Sequence, residues 1–418
     1  MIKALTRVLE AGLSERRNVP LGKLDEFMGW MVSGSASWSG ANVTASTVMQ
    51  NDVFWAAVNV RASSLAQLPL VTYRVREKVG QDKAYDHYLY PVLRRRFNPY
   101  MTAFTGKRQM ETWLCVYGNA YAWMDINGRG QTTAIWPWHP SRVEVEWRNW
   151  DGATIPFYGF RHDDNSYTWQ PYFNIIHLRG PSLDGFFGMN VVETHRNTVG
   201  FSSALMEHGS RFFSNGAAIR GIIRPVAGAR LDPTHLEESK ARWNEQNSGL
   251  SNAHKTAFLP ASLEFQPISM SMKDADYAAL MQMTPPQICR VVGVPPHKVF
   301  DLARSTNNNI EHQDLEWLRD YLGPQLTNWE DELNGALLSP REAEWILIEF
   351  LINYLMRADV KTRAEYLTKA LGGAPWMTQN EGRDKEGFNP QEDPAADKFP
   401  VTNNAPGGPE PEPNAQED

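Results

Sequence analysis

The sequence predicts an α+β protein in which helices alternate with short antiparallel strands. Apolar residues make up 42% of the 418-residue chain, with 15 Trp, 14 Tyr and 18 Phe, which is enough to fill a sizeable core. Several segments carry apolar residues at helical spacing between capping residues. Others alternate apolar and polar residues around the turn pairs Asn127-Gly128 and Asp151-Gly152, as in antiparallel hairpins.

The first regular elements follow a small, polar and flexible lead-in at residues 33–46. Residues 52–66 are predicted to form a helix that stops before Pro69, and LPLVTYRV then alternates as a strand. A second helix is predicted over residues 102–117, with Gly118 as its stop. Between these helices, the run 94–96 of three arginines is short and isolated, so it is interpreted as a solvated helix face rather than a nucleic-acid patch.

A series of hairpins is predicted next. Asn127-Gly128 favours a two-residue turn with positive φ at both positions, and Asp151-Gly152 marks another turn. The segments VEVEW, TIPFYGF and FNIIHLR supply further short strands. His177 lies in the last of these and is interpreted as a core or sheet-edge histidine rather than a catalytic one.

The middle of the chain is predicted to hold a long helix at 190–216, with Gly216 as its stop. This helix carries a set of small residues that would let neighbouring helices approach closely: Gly200, Ser202, Ser203, Ala204 and Gly209. A small α/β segment follows, with strands at GIIRP, TAFLP and LEFQPIS and a helix beginning at Asp232-Pro233.

A helix, a loop and a second helix then follow. The first helix is expected to break at Pro285-Pro286 and to end at Gly293, after which Val294-Pro295-Pro296 favours extended backbone. Residues 298–309 are polar and loop-like, with Asn308 and Glu311 as a cap for the second helix. That helix carries a long apolar stripe, and Gly323-Pro324 is expected to kink or break it.

The C-terminal part begins with EAEWILIEFLI, interpreted as a buried strand. A helix is predicted at 359–371 with Gly372-Gly373 as its stop, and Thr378 with Glu381 forms a capping box for one more. From Asn389 onward Pro, Glu, Asn and Gly dominate, so this tail is predicted to be disordered.

Charge and motif content exclude several classes of function. The net charge of −7 is concentrated in residues 381–418, and residues 1–380 hold 38 basic and 38 acidic residues, so a strongly basic nucleic-acid binder is not indicated. No apolar run approaches the roughly 20 residues of a membrane span. The two cysteines, Cys115 and Cys289, lie in apolar stretches and are interpreted as buried free thiols, which suits a reducing cytoplasm.

No catalytic, metal or cofactor site is predicted. GxxxxGK[ST], GxSxG, HExxH and paired CxxC are all absent from the sequence. His162-Asp163-Asp164 could ligate a metal, but its place between two predicted strands favours a polar turn. Asp274 and Asp276 could form a nuclease carboxylate pair, but acidic residues at the start of a helix are explained by the helix dipole.

The helix–loop–helix region also carries a family resemblance. QICRVVGVPPHKV, NNNIEH and LGPQLTNWEDELN, in this order, resemble the portal proteins (head–tail connectors) of siphophage-type tailed bacteriophages. Similar phrases elsewhere, GNAY, IIHLRGPSLDGFFG and GGAPWMTQNEGR, extend the resemblance from about residue 44 to 388. It implies a portal fold with a mixed α/β wing, a helical stem, a small α/β clip and a helical crown.

The resemblance also implies a division of this chain into parts. In chain order these are a flexible N-terminal arm (1–43), the first part of the wing (44–185), the first stem helix (186–216), the clip (217–271), the second stem helix (272–297), the tunnel loop (298–309), a long kinked helix with the second part of the wing (310–358), the crown (359–388) and a disordered acidic tail (389–418).

The function implied is that of a non-enzymatic ring subunit, commonly one of twelve, at one capsid vertex of the virion, assembled in the host cytoplasm. Its channel would pass double-stranded DNA during packaging, retention and ejection. The clip would dock the terminase large subunit and later head-completion or adaptor proteins, and the wing would meet scaffold and major capsid protein. The DNA-facing residues would be those of the tunnel loop, Lys298, Arg304, Ser305, Thr306, Asn307, Asn308 and Asn309.

Two alternatives remain open at this point. A metal-dependent nuclease or hydrolase of phage DNA processing would use carboxylates such as Asp164 or Asp274, and metal-stimulated cleavage lost on their replacement by alanine would identify it. A plain interaction protein would use its acidic tail as the contact.

Overall fold

Helices and strands alternate along the chain, as predicted for the α+β class. The computed structural model describes residues 37–76, 81–214, 221–225, 263–267, 274–302, 307–352, 360–372, 375–386, 389 and 391–399. Its helices are α1 (Ala45–Val48), α2 (Asp52–Ala66), α3 (Leu89–Arg94), α4 (Ala103–Tyr117), α5 (Val191–Thr194), α6 (Arg196–Ser214), α7 (Asp274–Val292), α8 (Asn307–Trp317), α9 (Gly323–Leu337), α10 (Val360–Leu371) and α11 (Gln379–Glu386).

The strands are short and all of their pairings are antiparallel. They are β1 (Leu70–Val75), β2 (Gln81–Lys83), β3 (Arg96–Asn98), β4 (Met101–Thr102), β5 (Asn119–Ile126), β6 (Thr132–Trp138), β7 (Val143–Trp150), β8 (Ala153–Arg161), β9 (Tyr167–Pro171), β10 (Ile175–Arg179), β11 (Gly221–Pro225), β12 (Leu263–Pro267) and β13 (Ile346–Phe350). Three-stranded sheets have the orders β13-β1-β2, β10-β5-β6 and β7-β8-β9, and β3-β4 and β11-β12 form two-stranded pairs. The predicted α+β class is confirmed.

One large core joins the first and last parts of the described chain. Strand β13 pairs with β1 along its whole length, from Leu70 opposite Phe350 to Arg74 opposite Ile346. Helix α9 buries a stripe of four residues against the same core, Leu326, Trp329, Leu333 and Leu337. The strand predicted in EAEWILIEFLI is therefore present and buried, and both cysteines are buried free thiols. No helix in the described part of the chain combines the length and apolar character needed to cross a membrane.

The boundaries predicted for the helices at 52–66 and 102–117 are confirmed to within one residue, and each helix begins at a side-chain cap. Asn51 Oδ1 accepts from Phe54 N at 3.1 Å at the start of α2, and Thr102 Oγ1 accepts from Thr105 N at 3.1 Å at the start of α4. Helix α4 ends at Gly118, whose φ is 71°. The capping box of α11 is confirmed by both of its bonds, between Thr378 and Glu381.

The two predicted turns have different outcomes. Asp151 (φ 50°) and Gly152 (φ 82°) form the expected two-residue turn between β7 and β8. The hairpin of β5 and β6 is present, but the predicted two-residue turn at Asn127-Gly128 is wrong. Its loop is longer because Asn127 Oδ1 accepts from the backbone N–H groups of Arg129 and Gln131, and the positive φ falls on Gly130.

The arginine run is exposed, as expected, but it is not one helix face. Helix α3 ends at Arg94, and Arg96 already pairs with Thr102 in the small β3-β4 hairpin. The hairpin takes the backbone out of the helix, so only the first arginine of the three is helical.

Helix 190–216 was predicted as one element, and the described part is two. Asn190 caps α5, the backbone turns at His195, and α6 follows. The small residues of α6 serve contacts within the subunit: Gly200 lies against Ser37 of the lead-in, Ser202 accepts from Asn51 Nδ2 at 3.0 Å, and Gly209 lies against the Tyr277 hydroxyl of α7. The lead-in is thus partly packed. Gly216, the helix expected at Asp232-Pro233 and the strand TAFLP lie outside the described residues.

The expected break at Pro285-Pro286 is wrong, because α7 runs from Asp274 through both prolines to Val292. Pro285 has no N–H to give to the carbonyl of Met281 one turn earlier. The hydroxyl of the buried Thr284 donates to that carbonyl at 3.1 Å, which satisfies the orphaned acceptor. Thr284 thus replaces one of the two helical bonds that the prolines remove, and the helix continues through both.

The interruption expected at Gly323-Pro324 takes a different form. The helical backbone continues, but residues Leu318–Leu322 form a π-helical segment, and Gly323 N donates to Leu318 O five residues earlier. Proline then occupies the first turn of α9, where its lack of an N–H costs least. A single-turn π segment is a common way to accommodate such a site.

Part of the tail predicted to be disordered from Asn389, residues 391–399, makes defined contacts, and residues 400–418 lie outside the described residues. Asn380 of α11 donates to Gln391 O at 3.1 Å and to Asp397 Oδ1 at 2.8 Å, and it accepts from Gln391 N at 2.7 Å. Pro394–Asp397 forms a 3-10 turn that buries Ala396. Polar bonds to α11, rather than apolar burial, hold this segment, which composition alone does not reveal.

One buried lysine makes stability depend on pH. Lys107 of α4 is 3% exposed, donates to Leu68 O and lies 5.6 Å from the ring centroid of Phe350. Burial lowers the pKa of Lys107 to about 7. Between about pH 7 and the ordinary lysine value near 10.4 the unfolded chain binds more protons, so stability rises with pH in that window.

We therefore expect the free energy of unfolding to rise by on the order of 1–2 kcal/mol from pH 7 to pH 9, and Lys107→Met to remove this rise. Denaturant midpoints of both proteins at the two pH values measure the difference. An equal pH slope in the two proteins would contradict the assignment.

Candidate functional site

The site singled out by the sequence is the loop between α7 and α8, and it starts at a glycine whose surroundings leave no room for a side chain. Gly293 has φ 75°, and its N–H and that of Val294 both donate to Cys289 O, at 2.8 and 3.0 Å. The ring of Tyr321 lies where a Cβ would stand. Trp317 Nε1 donates to Gly293 O at 2.8 Å. The end of α7 is thus fastened to the helix that follows the loop.

The backbone after Gly293 leads outward from this junction. Val294 is buried, and Pro296–Val299 forms a 3-10 turn that ends at Phe300 in the left-handed region, with φ 64°. Phe300 is 90% exposed and Leu302 is 55% exposed. The described start of the loop therefore exposes apolar side chains to solvent.

A polar cluster fixes the base of the loop, and we name His297, Lys298, Gln313 and Asp314 the loop clasp. His297 is buried, with its Nδ1 2.9 Å from Gln313 Oε1 and its Nε2 2.5 Å from Asp314 Oδ1. Lys298 Nζ donates to Asp314 Oδ2 at 2.8 Å and lies 5.5 Å from the ring centroid of Trp317. Partial burial acts to raise the pKa of Asp314, but the bonds from Lys298 and His297 lower it overall. The carboxylate is therefore ionised at neutral pH.

The predicted site residues have different places in this arrangement. Lys298 lies in the 3-10 turn, and its ammonium donates to Asp314 within the loop clasp. Arg304, Ser305 and Thr306 lie outside the described residues. Asn307, Asn308 and Asn309 form the first turn of α8, so the loop ends earlier than predicted and Asn308 is inside the helix rather than its cap.

Beneath the clasp lies a buried ionic network that sequence reasoning missed, which we name the Arg61 network. Arg61 Nε donates to Glu111 Oε1 at 2.7 Å, and its Nη1 donates to Val292 O at 3.1 Å and to Tyr321 Oη at 2.7 Å. Tyr321 Oη in turn donates to Val292 O at 2.7 Å, and Trp329 Nε1 donates to Glu111 Oε2 at 2.8 Å. The network thus links α2, α4, α7 and the helix after the loop.

The surroundings of Arg61 keep its guanidinium charged. Burial acts to lower the pKa of Arg61, but its interactions with Cys115, Glu111 and Tyr321 raise it overall. Burial raises the pKa of the Cys115 thiol to about 12, so that thiol is neutral. An arginine and a glutamate in line with the apolar positions of two helices were the available signal in the sequence, since such residues are almost never buried unless paired.

The other residues considered for chemistry have structural partners. His177 is buried between Tyr158 Oη at 3.1 Å and Asn119 Oδ1 at 3.0 Å, which confirms the core assignment. Residues 162–166 form the predicted polar turn, closed by His162 N donating to Ser166 O. Asp274 begins α7, as the dipole argument requires. Among the described residues, no three His, Cys, Asp or Glu side chains are grouped to hold a metal ion.

Comparisons with known proteins give a consistent result. The family model described as "Phage portal protein" matches residues 52–387. The portal protein of Enterobacteria phage HK97 is 26% identical over 363 residues, which cover 86% of this chain and 84% of that protein. The probable portal protein of Streptomyces phage phiC31 is 27% identical over 393 residues, which cover 91% of this chain and 84% of that protein.

Solved structures show the same fold. A chain from the neck of an empty gene transfer agent particle, computed with C6 symmetry, has a TM-score of 0.57 at 18% identity, covering 87% of this chain and 99% of that one. An HK97-family phage portal protein from Corynebacterium diphtheriae has a TM-score of 0.55 at 16% identity, covering 76% and 98%.

Proposed function

This chain belongs to the phage portal protein family, and from that premise we propose that it is the non-enzymatic subunit of a ring that forms the DNA channel at one capsid vertex. The ring has twelve copies in this proposal, and it passes double-stranded DNA during packaging, retention and ejection. Two of the similar structures come from gene transfer agent necks computed with C6 and C12 symmetry, which supports a ring. The family gives no support to the nuclease alternative.

One observation carries the proposal: the described start of the loop after α7 leaves a base held by many contacts, and its side chains at Phe300 and Leu302 are exposed. The clasp and the Arg61 network hold both flanking helices, so the base of the loop has a fixed position. We assign DNA contact to Arg304, Ser305, Thr306 and the asparagines of the first turn of α8. One cation among neutral donors gives weak contact, because tight binding would need many neutralised phosphates.

The remaining parts of the proposal concern location and partners. The β11-β12 pair belongs to the clip, which docks the terminase large subunit and then head-completion or adaptor proteins. The sheets around β5 and β8 belong to the wing, which meets scaffold and major capsid protein. The assembled ring is part of the virion and forms in the host cytoplasm.

The test replaces Arg304, Ser305 and Thr306 with glutamate, which keeps the loop length but places negative charge beside the phosphates. We expect light scattering to give a mass many times the 47.4 kDa of one subunit, with a central hole in end views, for wild type and variant alike. DNA packaging into proheads should fall about tenfold or more, because like charges repel in the channel.

The control variant carries Asn403→Glu and Asn404→Glu, which add charge to the tail and should leave packaging unchanged. Normal packaging by the loop variant would refute the assigned DNA contact. A stable monomer of the wild type, with and without scaffold, would refute the ring. Metal-stimulated DNA cleavage lost in Asp274→Ala would restore the nuclease alternative.

A further inference from the structure

A cluster of tryptophans lies on one face of the β5-β6 hairpin, on elements that take no part in the loop site. Trp123 pairs with Trp136 and Tyr121 pairs with Trp138, so these four side chains share one face. The opposite face, with Ala122, Met124 and Ile135, is buried in the main core. A cavity of about 260 Å³ opens on the tryptophan face and is lined by Trp123, Asp125, Trp136, Pro137 and Trp138.

The walls of this cavity are held by neighbouring contacts. Trp123 stacks on Phe160, with ring centroids 6.0 Å apart and planes 24° apart, and Trp138 meets the same ring edge-on at 5.5 Å. Trp136 Nε1 donates to Asp125 Oδ2 at 2.8 Å, which orients the exposed carboxylate beside the indoles. The indoles and the carboxylate are therefore held in place before anything binds.

The residues that line the cavity indicate which kind of group it binds. The faces of indole rings are electron-rich and attract cations, and a carboxylate only accepts hydrogen bonds. A polyproline segment would need several indole N–H donors for its carbonyls, but Nε1 of Trp136 donates to Asp125 and Nε1 of Trp138 is buried in the wall, which leaves only that of Trp123 among the three indoles of the lining. The volume lies below the roughly 300 Å³ at which small-molecule pockets begin, so it suits one side chain.

We propose that this cavity is an aromatic cage that binds one arginine or lysine side chain from a partner protein. The cation lies over the indole faces and pairs with Asp125. The inference does not rest on DNA conduction by the loop, so failure of the packaging test leaves it standing.

The experiment titrates the purified full-length protein by calorimetry with an acetylated and amidated pentapeptide, Gly-Ser-Arg-Ser-Gly. Parallel peptides replace arginine with lysine, with neutral citrulline, with norleucine or with proline. We expect the two cationic peptides to bind at least about tenfold more tightly than the neutral ones. Asp125→Asn should weaken binding of the arginine peptide about two- to fivefold, because the amide still accepts from Trp136 but carries no charge.

Asp151→Asn is the matched control, since it removes the same charge at the tip of the β7-β8 turn, where asparagine accepts the positive φ. It should leave binding unchanged. Equal binding of the norleucine peptide would show that the cavity binds apolar groups without preference for a cation. Preferred binding of the proline peptide would show that its ligand is a polyproline segment. Either result would overturn the proposal. Equal losses in the two aspartate variants, or no binding of the arginine peptide, would also overturn the proposal.

Discussion

Arg61→Met is expected to destabilise the subunit by about 3–5 kcal/mol, because it leaves the fully buried carboxylate of Glu111 without its cation. The methionine fills much of the same volume, so the loss reports the charge and its bonds rather than a large cavity. Val292 O and Tyr321 Oη also lose their donor from Arg61. Denaturant unfolding of wild type and variant at pH 7 measures the change.

The matched control is Arg74→Met, which breaks an exposed pair with Asp86 of 3.0 Å, both side chains being about half exposed or more. That change should cost less than about 1 kcal/mol. The double variant Arg61→Met with Glu111→Gln should recover part of the loss, because no buried charge remains unpaired. A loss within about 1 kcal/mol for Arg61→Met alone would show that the network adds little to stability.

Gly293→Ala is the second change with a large expected effect. Alanine in the left-handed region costs roughly 1–2 kcal/mol, and its Cβ would also overlap the ring of Tyr321. Tyr321 would have to leave its position, with loss of its bonds to Arg61 and Val292 O. We expect a loss of about 3 kcal/mol or more, measured as a shift in the unfolding midpoint.

Gly335→Ala provides the comparison for that measurement. Gly335 lies in α9, and a Cβ there would meet nothing within 4 Å. Alanine is the better helix former by about 1 kcal/mol, so this variant should be neutral or more stable. If both glycine variants lost the same stability, the special role of Gly293 would be wrong.

Local sequence signals predicted most helix boundaries and several strands. Asn51, Thr102 and Thr378 form caps with their own near neighbours, and Gly118 ends α4 with a positive φ. Such contacts span only a few residues, so the sequence window that contains them is sufficient. The same holds for Asp151-Gly152, where both turn positions have positive φ.

The wrong predictions concern places where the structure depends on contacts that a short stretch of sequence either does not contain or does not reveal. The helix through Pro285 continues because a threonine hydroxyl replaces one backbone donor. Residues 391–399 are held by bonds to Asn380, which lies in the preceding helix. In the candidate site, the position of the loop was predicted, but its clasp depends on contacts between Lys298 and Asp314 across the loop.

The Arg61 network could not be predicted for the same reason, because its residues are far apart in the sequence. Arg61 and Glu111 are 50 residues apart, and Arg61 and Tyr321 are 260 apart. Each residue taken alone could be an ordinary exposed charge on a helix. Only the packing of α2 on α4 and of the helix after the loop on both makes them partners.

The π-helical segment keeps the buried faces of the two halves of the long helix on the same side. Buried Trp317 and Leu322 are five residues apart, whereas Leu322 and Leu326 are four apart, so one extra residue is absorbed where the segment lies. Each α-helical residue turns the chain by about 100°. In an uninterrupted α-helix the extra residue would therefore rotate the upstream half, with the loop that precedes it, by about 100°. The π segment absorbs the residue locally, so a family member with one residue fewer here would form an uninterrupted α-helix with the same face buried, and its loop would keep the same direction.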